Sequence, residues 1–123
     1  MNQAKLLKLD EFIEEEVMIE INGVQFMGFS AICPYKIFIN KIYPVCVSIT
    51  ILDDPEITEL TELKYGLEEI GDAYGYFLYG QVCEDSVDIG NNLKIESDFF
   101  KEIPYLLGCF VRIKADRLSV EFL

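Results

Sequence analysis

The sequence predicts a β-rich α+β protein: an antiparallel, curved sheet or small, partly open OB-like barrel of roughly six or seven strands, with one main helix over about residues 55–70. Three observations predict it. Asn22-Gly23 stands between two alternating runs and is the preferred chemistry for a two-residue hairpin turn, because both positions need positive φ. Runs rich in Val, Ile, Tyr and Phe recur along the chain and are separated by tight turns, which favours antiparallel pairing over parallel crossovers. One segment, 57–70, instead carries apolar residues at helical spacing. The chain has 123 residues, 51% hydrophobic and 26% charged, which suits one globular domain over 1–123 that needs no metal or disulfide staple.

Residues 3–15 carry Leu6, Leu7, Leu9, Phe12 and Ile13 at spacings that fit neither period; they favour a short amphipathic helix, with an extended arm as the alternative. The Asn22-Gly23 turn then folds residues 16–21 onto 24–29. It pairs Ile21 with Val24, Ile19 with Phe26 and Val17 with Gly28 on an apolar face, and Glu20 with Gln25 and Met18 with Met27 on the other. Residues 35–42 alternate as a short strand, broken by Tyr43-Pro44. Residues 45–52 form a β-branched strand with Val45, Val47, Ile49 and Ile51 on one face.

The helix is read from Asp54 as N-cap, Pro55 at its first position, and Ile57, Leu60, Leu63, Leu67 and Ile70 as one stripe ended by Gly71. Gly66 weakens it by about 1 kcal/mol relative to alanine. Residues 74–83 read as a strand in which Gly75 and Gly80 mark a bulge or a close backbone approach. Residues 87–95 form a further strand, interrupted at Gly90-Asn91-Asn92. Ser97-Asp98 caps a short helix over 99–107, made imperfect by Pro104. The last two strands place Cys109, Val111, Ile113 and Ala115 inward with Arg112 and Lys114 outward, then Leu118, Val120 and Phe122 inward. The terminal strand 118–123 has only Glu121 as a charged guard, so a homodimer through this edge strand is open to it.

The net charge is −12, from 22 acidic and 10 basic residues, and there is no histidine. Residues 91–123 balance five basic against five acidic residues, so the excess lies in residues 1–90. That charge disfavours nucleic acid and anionic membrane as default partners. The absence of histidine removes histidine-dependent catalysis and most zinc sites; no nucleophile, phosphate-loop or dinucleotide motif is present. No enzyme, cofactor or metal is therefore expected. The oxygen-rich Asp85–Asn92 run lacks EF-hand spacing and reads as a polar turn. Lys8 and Asp10 interrupt the N-terminal apolar run, which excludes a signal-peptide core, and no run approaches a membrane span. Cys33, Cys46, Cys83 and Cys109 lack paired spacing, and the last three lie in apolar runs; they read as small hydrophobes of a cytoplasmic protein.

Two functional expectations follow. The leading one is a non-enzymatic protein-binding module whose acidic surface, from Glu14, Glu15, Glu16 and Glu20 and from Glu56, Glu59, Glu62 and Glu69 on the outer face of the helix, engages a basic protein partner. An inhibitor or immunity-type protein is its concrete form. The alternative is an OB-like barrel that binds a small ligand or single-stranded nucleic acid through Tyr76, Tyr79 and Arg112. It requires the cations Arg112, Lys114 and Arg117 to lie on the same side as the aromatic residues.

Overall fold

Period-two alternation builds almost all of this molecule. In a computed structural model, residues 2–10, 13, 15–31, 33–52, 54–71 and 74–123 are described. They form eleven strands: β1 (Asn2–Leu9), β2 (Glu16–Ile21), β3 (Val24–Phe29), β4 (Ile42–Thr50), β5 (Glu56–Glu59), β6 (Gly66–Glu69), β7 (Tyr76–Val82), β8 (Ser86–Asp88), β9 (Lys94–Glu96), β10 (Phe110–Ala115) and β11 (Arg117–Phe122). Five of them close a barrel in the circuit β1-β2-β3-β11-β4-β1. Every pairing in that circuit is antiparallel except β3–β11, which is parallel and is bridged at Ser119 and Phe29.

The β2–β3 hairpin has the register that the sequence predicts, from Ile21–Val24 to Glu16–Phe29. Asn22 and Gly23 take φ of 51° and 85°, the positive pair that a hairpin turn requires. Val17, Ile19, Ile21 and Phe26 face the barrel interior and are buried. Burying each stabilises the fold by roughly 1.5–3 kcal/mol. Gly28 shares this inward face because a Cβ there would meet the Val120 side chain of β11 at 2.5 Å. Ala4, Leu6, Val45, Val47, Leu118, Val120 and Phe122 complete the filling.

The insertion between β4 and β11 forms the second half of the sheet, in the order β9-β8-β7-β10-β5, with β6 also paired to β7. Two backbone junctions tie it to the barrel. Strand β9 bridges β4 at Glu96 and Ser48, and β10 runs into β11 through Asp116. The Asp116 N–H donates to the Thr50 carbonyl at 2.9 Å, and its Oδ2 accepts from the Leu52 N–H at 2.6 Å. Gly80 on β7 has no room for a Cβ, which would collide with the Asp88 carbonyl of β8. It is a close backbone approach, one of the two expectations for this glycine.

The main helix is not formed. Its segment is two short strands, β5 and β6, on opposite edges of the β7–β10 pair. Ile57 lies opposite Ile113 and Leu67 opposite Leu78, so both serve the core from separate strands, while Leu63 is 77% exposed. Gly66 has φ of 137°, outside any helix. The physical reason is pairing: β7 and β10 would otherwise leave outer edges open, and β-branched Ile57 and Thr58 suit an edge strand. The strand count is also higher than expected, because strands of three or four residues are too short to show alternation.

The N-terminal segment is strand β1 and not a helix. Its register slips between Leu6 and Lys8, so Ala4 and Leu6 share the inward face, and Leu9 returns opposite Val17 after one extra residue. That bulge is why neither period fits the sequence. Residues 35–41 form no strand, and Pro44 lies within β4. The predicted helix over 99–107 is two 3-10 helices, Asp98–Glu102 capped by the Ser97 side chain and Pro104–Leu106 begun by its proline. Strand β11 pairs on both sides, with β4 and β3, so the edge proposed for self-pairing is not an edge. Among the described residues no helix is long and apolar enough to cross a membrane.

Candidate functional site

Alternation on the hairpin turns Glu16, Met18 and Glu20 of β2 outward beside Phe29, Met27 and Gln25 of β3. Lys8 of β1 lies opposite Met18, and Lys5 opposite Glu20. The methionines and Phe29 are half-buried, and Gln25 Nε2 donates to Glu20 Oε1 at 3.1 Å. The result is a methionine and phenylalanine floor with carboxylates above and below it and Lys5 and Lys8 along its β1 side.

The insertion completes this face. Tyr74, two residues before β7, sets its ring edge-on to Phe29, with centroids 4.6 Å apart and planes at 87°. The Arg117 guanidinium lies over the same Phe29 ring at 5.0 Å. Burial pushes the Tyr74 hydroxyl above its ordinary pKa, and the nearby Glu16 carboxylate, its hydrogen bond to Tyr74, and the Asp10 charge add to that. Asp10 Oδ1 accepts the Ile13 N–H at 2.9 Å. Glu69, opposite Tyr76 at the end of β6, acts in the same direction on Tyr76.

Between these groups lies a dimple of about 80 Å³ lined by Lys8, Asp10, Glu16, Met18 and Met27. It is far below the roughly 300 Å³ of a drug-sized ligand site, so this face suits a surface partner better than an enclosed molecule.

The structure sorts the sequence-predicted acidic residues. Glu16 and Glu20 lie along the β2 side of this face, exposed Glu15 immediately precedes β2, and Glu69 lies where β6 meets the face. Glu14 lies outside the described residues. Glu56 and Glu59 do not join them: β5 is on the opposite edge of the β7–β10 pair from β6, and Glu56 Oε2 is 3.4 Å from Lys114 Nζ. Glu62 is exposed in the β5–β6 connection. The single acidic helix face therefore does not exist, and the carboxylates are divided among separate surfaces. Sequence reasoning missed Asp10, Phe29 and Tyr74 at this site. The Met18–Met27 pairing was readable from the hairpin; the arrival of Tyr74 was not, because it depends on how the insertion folds back.

The other predicted residues lie on the insertion. Arg112 of β10 is directly opposite Tyr79 of β7, and Lys114 is opposite Phe77. The Arg112 guanidinium covers the Phe77 ring at 4.7 Å, and Lys64 Nζ covers the Tyr79 ring at 3.9 Å. Tyr76 points the other way, into the core, at 4% exposure. Arg117 is on the Phe29 face and not with these cations.

A polar groove on the β8–β9 side has a volume of about 340 Å³ and includes Asp85, Asp88, Lys94 and Glu96. Asp88 Oδ1 there accepts the Gly90 N–H at 2.9 Å, which builds the turn. Among the described residues no cluster of three Cys, Asp or Glu side chains is placed to hold a metal ion. The four cysteines are free thiols; Cys33 is exposed and the other three are only half-buried, less than their apolar runs suggest.

These features define a class: a closed five-stranded β-barrel with a sheet inserted before its last strand. The chain belongs to the family described as uncharacterised conserved protein UCP019853, whose model matches residues 1–123. No curated protein and no solved structure matches the chain.

Proposed function

We propose that this protein is a non-enzymatic binding module that presents the β2–β3 face to a basic protein partner. The observation that carries this reading is the placement of Glu16, Glu20 and Asp10 around the Met18–Met27 pair and the Tyr74–Phe29 contact. Carboxylates on the rim of such a face steer a cationic partner and set its orientation. Methionines and aromatic rings at the centre supply adaptable apolar contact. The barrel circuit is OB-like, and OB barrels carry ligands on the strand 2–3 face and its flanking loops, which is an analogy of position only. A cytoplasmic inhibitor or immunity-type protein that neutralises a basic toxin is the concrete form, and four free thiols suit a reducing compartment.

The test is retention of proteins from the source organism's lysate on the immobilised chain, eluted with a salt gradient. Glu15→Lys, Glu20→Lys and Glu69→Lys together should abolish retention of a basic protein that the wild type holds. Glu59→Lys with Glu62→Lys, away from the face, should leave it in place. Equal retention by all three proteins overturns the reading.

One observation favours a second reading, in which the outer face of the insertion binds single-stranded nucleic acid or a small anionic ligand. Arg112 and Lys114 share that face with Phe77 and Tyr79, as stacking and charge neutralisation require. The flanking Glu56 and Glu68 and the net charge of −12 weigh against it. Tyr79 is also covered by Lys64, so Phe77 and Arg112 would carry the contact.

A further inference from the structure

The β3–β4 connection has surface chemistry opposite to the rest of the molecule. Between Glu20 and Asp53 the chain has no acidic residue, although it has 22 acids in all. Within that stretch Phe38 is 53% exposed, Ile39 50% and Ile42 65%. Lys36 and Lys41 are exposed among them, Lys36 Nζ lies 5.4 Å from the Phe38 ring centroid, and Lys5 of β1 is directly opposite Ile42. Exposed apolar side chains grouped with cations mark a contact surface more often than a solvated loop.

The segment is held in shape. The Asn40 N–H donates to the Leu6 carbonyl at 2.7 Å and the Leu6 N–H to the Lys41 carbonyl at 3.0 Å. The Phe38 N–H donates to the Tyr43 hydroxyl at 2.7 Å, and the Tyr43 ring packs edge-on against Phe122 of β11. Little ordering entropy would therefore oppose its docking.

An anionic bilayer suits the three lysines but not a body of net charge −12, which a bilayer repels beyond the lysines themselves. The chain itself carries the complementary surface: carboxylates around a methionine floor on β2–β3. We infer that the Phe38–Ile39 loop, with Lys36 and Lys41, docks on the acidic β2–β3 face of a second copy of this chain. This rests on the reading of that face as a site for a basic partner and names one such partner. Lys5 stands between the two surfaces, opposite Ile42 on one side and Glu20 on the other, so two copies either exchange both contacts as a two-fold dimer or repeat one of them head-to-tail.

Sedimentation velocity at low salt, over a range of protein concentrations, tests it with two variants. One carries Glu15→Lys, Glu20→Lys and Glu69→Lys; the other carries Lys36→Glu, Lys41→Glu and Phe38→Ser. All these positions except half-exposed Glu20 are exposed, and circular dichroism verifies that both variants fold. The wild type should associate with rising concentration and dissociate in high salt. Each variant alone should weaken association by about tenfold or more. An equimolar mixture should form a dimer, because one variant retains the face and the other the loop.

A wild type that stays monomeric, or a mixture that stays monomeric, overturns the self-docking while leaving the acidic face to be judged by its lysate partners. Binding of the monomeric wild type to phosphatidylserine vesicles, lost in the loop variant, also overturns it and assigns the loop to a bilayer.

Discussion

The hydroxyl of Tyr76, on the inserted sheet, accepts a hydrogen bond from the backbone N–H of Met27, on the barrel, at 2.9 Å. Met27 lies opposite Met18 of β2, and on its other side β3 meets β11 at the parallel bridge between Phe29 and Ser119, two residues further on. Its N–H would lack a strand partner there. Tyr76 supplies the acceptor, and in doing so places Tyr74 and Glu69 beside the β2–β3 face. One side chain thus couples the closure of the barrel to the composition of the candidate site.

Tyr76→Phe removes that acceptor and keeps the ring. The expected loss is about 1–2 kcal/mol, the cost of a part-buried donor left unmade. Urea unfolding measures it. Amide exchange at Met27 should quicken as well, while exchange at Phe26, bonded within the hairpin, should follow global stability alone.

The same residue sets an alkaline limit. Burial, aided by Glu69, holds the Tyr76 hydroxyl above its ordinary 10.0, partly offset by the Met27 N–H. Below pH 10 both the folded and unfolded chains keep the proton, so its stabilising contribution is complete. Above it the unfolded chain ionises first, and stability falls as pH rises through the folded value. Denaturation midpoints of wild type and Tyr76→Phe should therefore converge as pH rises from neutral to alkaline.

Gly80→Ala should be costly, because the new Cβ has the β8 carbonyl of Asp88 in its place. About 3 kcal/mol is expected, the upper range for overpacking. A Cβ on Gly71, by contrast, would have none of the described residues within 4 Å, and its cost there comes from the positive φ of 56°. Thermal unfolding of the two alanine variants should rank Gly80→Ala as clearly the more damaged.

On the outer face of the insertion, Arg112→Ala removes the cation over Phe77 and should leave stability within about 1 kcal/mol, since exposed cation–π pairs contribute that much. Anisotropy of a labelled single-stranded oligonucleotide at low salt then separates the two functional readings. A flat titration with wild type dismisses the second reading; binding that Arg112→Ala abolishes would promote it.

Legibility in the sequence varied with the range of the interactions. The β2–β3 hairpin was readable to the residue pair, because Asn22-Gly23 and the alternation of Val17, Ile19 and Ile21 agree on one register. Strands β10 and β11 were readable from the alternation of Val111, Ile113 and Ala115, then Leu118, Val120 and Phe122. Segment 57–70 misled because Ile57 and Leu67 face one core from two strands, and their separation happens to match a helical stripe. Strand β1 was obscured by its bulge after Leu6. In the site, Met18 and Met27 could be paired by local reasoning alone. Tyr74 against Phe29, and Tyr79 against Arg112, depend on contacts across dozens of residues that no local period encodes.

On the proposed reading, carboxylates on the β2–β3 face govern encounter with a cationic partner. The most direct test is the association rate constant of a captured basic protein, measured against ionic strength. The wild type should associate fastest at low salt, and the Glu15→Lys, Glu20→Lys and Glu69→Lys variant should lose about tenfold or more in rate there and converge with wild type at high salt. Equal rates and equal salt slopes for the two proteins would contradict the account.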